Sequence, residues 1–185
     1  MEKRAYLQNF IFFLLFGVAA VAAGVWETSC VLFSLGAGVL GGAFFAAFRA
    51  RLVLPVRILV GVVAGIVSVW SGFYAFSYMV MTTGYGEMTS PLGSVLVLAI
   101  LILAGIVLFL LVRDKQVETG MLDDLTEPAQ MTVLLSAVSF VAVFLTYGAG
   151  VHYIEAACAC AASGYGLYGI GRTVCFAFRR SKENV

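Results

Sequence analysis

"MTTGYGEMTS", residues 81–90, parts two long apolar runs, and its reading decides the fold. As a turn, it joins two membrane-crossing helices and the chain is a bundle. As a re-entrant segment, it drops back into the bilayer and the chain is built around a pore. The rest of the sequence bears on that choice. The 185 residues are 62% hydrophobic and only 11% charged, with a mean hydropathy of +1.04. An ordinary globular domain is about half apolar. The excess here needs lipid as its solvent.

A hydrocarbon core of about 30 Å takes roughly 20 apolar residues as a helix. The chain supplies six such runs, at 7–26, 30–48, 53–78, 92–112, 131–148 and 153–176. The last two are parted only by Tyr147-Gly148-Ala149-Gly150, a tight glycine-containing turn. The alternation of a membrane β-barrel is missing. The expected fold is all-α: a polytopic six-transmembrane-helix bundle, with residues 1–185 as one domain. The opening, Met1-Glu2-Lys3-Arg4 followed by apolar residues and "AAVAAG", has the form of a secretory signal peptide. It is also long enough to span, and is counted as the first helix.

All eleven Lys and Arg residues fall on one side of this arrangement. Lys3 and Arg4 precede the first span, and Arg49, Arg51 and Arg57 surround the second loop. Arg113 and Lys115 follow the fourth span, and Arg172, Arg179, Arg180 and Lys182 end the sixth. Basic residues stay cytoplasmic, so both termini are expected inside, most simply in a plasma (inner) membrane. The net charge of +1 hides this asymmetry and gives no reason to expect nucleic acid. The longest loop, "RDKQVETGMLDDLTEPAQ" at 113–130, reads as a solvated linker with a short helical turn capped at Thr119 or Asp123.

Thr82, Gly84, Tyr85 and Gly86 resemble the selectivity filter of potassium channels. Glu87 stands where that family has Asp, Thr83 where it has Val, and Met81 where it has Thr. The resemblance implies backbone carbonyls lined up to replace an ion's hydration shell. A pore helix of ten residues, at about 1.5 Å each, would descend about 15 Å, half the core. Against this, "VWSGFYAFSYMVM" at 69–81 reads as continuous helix, with no polar break. Gly164-Tyr165-Gly166 also recurs inside the sixth span, where no filter follows the same plan. The expectation for 81–91 is a surface turn, with glycine for positive φ and Pro91 opening the fourth helix.

The outer side gathers the chemistry. Glu27 ends the first span, Glu87 lies in the middle loop, and His152 and Glu155 begin the sixth, three residues apart on one helical face. No outer Lys or Arg faces these carboxylates. Trp70, Tyr74 and Tyr78 recur every four residues on the third span. Aromatic rings with a few acids suit a cavity for a cationic or ring-containing solute. The same rings also suit an interfacial belt. An ionisable residue within a span is a functional candidate by default, and Glu155 is that residue.

One His and three Glu lack a dense metal-binding motif, and no metal or other cofactor is expected. Cys30, Cys158, Cys160 and Cys175 read as small core residues, with a disulfide between Cys30 and Cys158 open, since both approach the outer side. "VWSGF" at 69–73 lacks the first glycine of an intramembrane-protease GxSG, and no enzyme is expected. Small residues such as Ala19, Ala20, Ala23 and Gly24 let helices approach closely, within the bundle, in a homo-oligomer or toward a partner membrane protein. Six spans with Ala19-xxx-Ala23 in an alanine-rich first helix are similar to the substrate-binding components of energy-coupling-factor vitamin transporters. That resemblance implies a small solute-binding membrane subunit. The functional expectation is a membrane transporter or ligand-binding component with an outward-facing aromatic and acidic pocket. The alternatives are an assembly subunit that binds other membrane proteins and a cation channel using 82–86.

Overall fold

The computed structural model of the chain describes residues 2–85, 92–119, 123–150 and 152–183. Six helices follow one another: α1 (Glu2–Trp26), α2 (Cys30–Arg49), α3 (Leu54–Tyr85), α4 (Leu92–Thr119), α5 (Asp123–Ala149) and α6 (His152–Glu183). Among the described residues there is no strand, and the fold is the expected helical membrane bundle. Helices α1 to α5 are long and apolar enough to cross a bilayer. Helix α6 is long, at 32 residues, but Glu155, Arg172 and its run of glycines and tyrosines dilute its hydropathy. Protein contacts make up the difference, since α6 packs on α2, α3 and α5.

The helices outrun their apolar cores. Helix α4 continues to Thr119 and α5 starts at Asp123, so most of the expected linker at 113–130 is helical. Helix α3 runs through Tyr85, so residues 81–85 are the end of a helix and not a turn. Residues 86–91, with Pro91, lie outside the described residues. The expected turn at 147–150 shrinks to Gly150, whose φ is 67° and whose N–H donates to Thr146 O at 3.1 Å. The physical reason is common to all three. Backbone hydrogen bonds propagate regardless of side-chain polarity, so hydropathy marks only the lipid-immersed part of each helix. A helical 82–85 is also not the extended backbone that a carbonyl-lined filter requires.

Helix α2 is the hub, buried along nearly its whole length and in contact with α1, α3, α5 and α6. Its glycines explain why. A Cβ on Gly36 would lie 2.7 Å from Val21 N and 2.8 Å from Gly17 O of α1. On Gly41 it would lie 2.8 Å from Gly166 O of α6. Two faces of one helix thus accept neighbouring backbones at distances only glycine permits. Helix α4 sits outside, against α1 and α5. Around α2 the order is α1, α4, α5, α6, α3, and the ring stays open between α3 and α1, which make no substantial contact. Of the small residues considered for a partner helix, Ala20 is in the core. Gly24 abuts the Phe33 backbone. Gly24 thus serves the α1–α2 contact, while Ala19 is exposed and Ala23 half-buried.

Candidate functional site

At the outer end, α1 closes tightly onto α2. The Thr28 N–H donates to Val25 O at 3.4 Å and the Ser29 N–H to Gly24 O at 2.9 Å, the paired bonds of a Schellman motif. Glycine usually holds its left-handed position. Here Thr28 holds it, with φ 52°, a genuine outlier for a β-branched residue. Ser29 then caps α2, its hydroxyl accepting from Leu32 N. This corner brings Thr28 to the rim of a groove of 200 Å³ that lies in the open part of the ring. Gly24, Val25 and Thr28 form one wall, Phe33 of α2 the floor, and Trp70 and Tyr74 of α3 the other wall.

The aromatic stripe expected on one face of α3 is a spiral. Trp70 is 68% exposed, Tyr74 39% and Tyr78 6%. Four residues overshoot a helical turn by about 40°, so each step rotates further inward. Trp70 stands at the groove, Tyr74 at its inner edge, and Tyr78 in the protein.

Behind them lies Glu155. It stands in the first turn of α6, where the helix dipole favours a carboxylate, and its exposure is 0%. Cys30 of α2, Tyr74 and Tyr78 of α3 and Cys158 of its own helix lie within its electrostatic range. Deeper along the same α3–α6 seam, Ser71 Oγ and Ser163 Oγ are 2.8 Å apart. Ser68 O lies 3.0 Å from Ser71 Oγ and Ala159 O 2.9 Å from Ser163 Oγ, so one hydroxyl donates across the seam and the other to its own helix's carbonyl. The seam therefore stays polar below the carboxylate, with each hydroxyl bonded to the protein.

Of the residues singled out from sequence, Trp70, Tyr74, Tyr78 and Glu155 come together. Glu27 does not join them. Its carboxyl packs on Gly93, where a Cβ would lie 2.8 Å from Oε1, at the positive amino end of α4. Glu87 and the side chain of His152 lie outside the described residues. Sequence reading missed Gly24, Thr28 and Phe33 as groove residues and Cys30 as a neighbour of Glu155. Nothing local signals Thr28, because its strain exists only once α1 closes on α2. The four cysteines are free. No protein-family model matches the chain, and no curated protein matches its sequence, so the functional reading rests on this site's own chemistry.

Proposed function

We propose that the chain is a membrane-embedded binding component, working in a plasma (inner) membrane, for a small cation that carries an apolar ring. The solute enters the groove between α1 and α3 from the outer side. Trp70 and Tyr74 take its ring and positive charge, as aromatic faces do. Glu155 supplies the field behind them. The observation that supports the reading is the double position of Tyr74, which lines the groove and lies within electrostatic range of buried Glu155. Strain held at Thr28, on the rim, fits the same reading, since strained backbone clusters at ligand sites. Below the site, α2 and α6 meet backbone to backbone at Gly41 and Gly166. Passage to the inner side would require those helices to part, so binding is the primary act and transport the further one.

The test uses the chain in lipid nanodiscs with Trp26→Phe, which leaves Trp70 as its one tryptophan. Benzyltrimethylammonium should quench Trp70 fluorescence saturably, and benzoate should not. Glu155→Gln should weaken the ammonium's effect by roughly tenfold or more. Equal quenching by the cation and the anion, or an unchanged response in Glu155→Gln, would refute the proposal.

A further inference from the structure

The inner corner between α2 and α3 is built with the same irregularity as the outer corner, and there it displays arginines. The Arg51 N–H donates to Phe48 O at 3.2 Å and the Leu52 N–H to Ala47 O at 3.3 Å, again a Schellman closure. Arg51 occupies the left-handed position at φ 51°, where glycine would sit without strain. Its side chain is exposed. On the first turn of α3, the Arg57 guanidinium lies 5.1 Å from the Phe48 ring centre. Its Nε is buried with no hydrogen-bond partner among the described residues. Phe48 thus ties both arginines to one corner, through its carbonyl and through its ring.

Among the described residues no carboxylate forms an ion pair with Arg51 or Arg57. No Asp or Glu occurs in the sequence between Glu27 and Glu87. Of the other inner arginines, Arg172 is paired with Glu127 at 2.5 Å, and Arg49 sits over the Phe176 ring at 4.7 Å. Arg51 is exposed and Arg57 half-buried beside it on the same corner. Beside them, Leu54, Ile58 and Leu59 of α3 are exposed large apolar side chains.

We propose that this corner holds the phosphate of an anionic phospholipid of the cytoplasmic leaflet. The planar guanidinium fork matches phosphate oxygens, and the apolar flank of α3 runs along the acyl chains. A free phosphate would use the fork alone, whereas a lipid uses the fork and the flank.

The experiment is native mass spectrometry of the delipidated chain, titrated with phosphatidylglycerol and with phosphatidylcholine. The parent should prefer phosphatidylglycerol by about 25-fold, the effect of two interfacial arginines. Arg51→Gln with Arg57→Gln should bring the preference close to one. A control pair on other helices, Arg113→Gln with Arg179→Gln, should leave it intact. Arg51→Gly separates function from folding: it should raise the unfolding temperature in phosphatidylcholine while reducing the preference. The proposal is overturned if the control pair loses as much as the corner pair. It is overturned equally if the parent shows no preference, if Arg51→Gly keeps the full preference, or if millimolar inorganic phosphate displaces the lipid.

Discussion

Gly41→Ala is the sharpest test of how the site is positioned, because α6 carries Glu155 and meets α2 at this glycine. The added methyl would lie 2.8 Å from Gly166 O and 3.2 Å from Gly166 Cα. Those are backbone atoms of a helix and cannot swing aside. Ordinary contact begins at roughly 3.5 Å, so the two helices must part by about 0.7 Å. A gap of that size forfeits a quarter to a half of each dispersion contact along the seam. Overpacking of this kind costs about 1–3 kcal/mol. Alanine returns about 1 kcal/mol of helix propensity, leaving a net loss of about 1 kcal/mol. Gly65 and Gly164 provide the comparison, since a Cβ at either meets nothing within 4 Å. Alanine there should be neutral or stabilising by up to about 1 kcal/mol. The propensity gain is common to the three variants, so the difference between sites isolates the backbone contact. Reversible unfolding in bicelles, followed by steric trapping, would measure it. If Gly41→Ala proves as stable as Gly164→Ala, the close α2–α6 approach is wrong, and with it the placement of Glu155 beside Tyr78.

Glu155→Leu should fold with unchanged or higher stability, since replacing a buried ionisable group by an apolar one of similar size is often neutral or stabilising by about 1–4 kcal/mol. It should nevertheless lose cation-dependent quenching of Trp70. Thermal unfolding and the fluorescence titration on the same sample check this, and an unfolded variant would assign Glu155 to structure instead. In a cysteine-free chain, a membrane-impermeant maleimide applied to intact cells should label Thr28→Cys and spare Asp114→Cys. The reverse pattern would invert the orientation read from the arginines.

The sequence by itself determined the class of fold and the number of helices. Lipid offers no partner for backbone N–H and C=O groups, so apolar runs of spanning length become helices, and six runs gave six helices. It also marked Glu155, because a carboxylate inside such a run is rare enough to stand out. Helix ends were less legible, as at Asp123 and Tyr85, because hydrogen bonding carries a helix past the point where its apolar residues stop. What only the tertiary structure decided was which helices meet. That Gly41 faces Gly166 while Gly36 faces Gly17 depends on pairings between residues far apart in the chain, and no periodicity within α2 specifies them. Those pairings make α2 the hub, leave the ring open between α1 and α3, and set Glu155 behind Tyr74 and Tyr78. They also send Glu27 to the end of α4, away from the cavity it was expected to line. The same outer carboxylates were visible in the sequence, but their fates diverged because burial is a property of neighbours, and neighbours are fixed by how close two backbones can come.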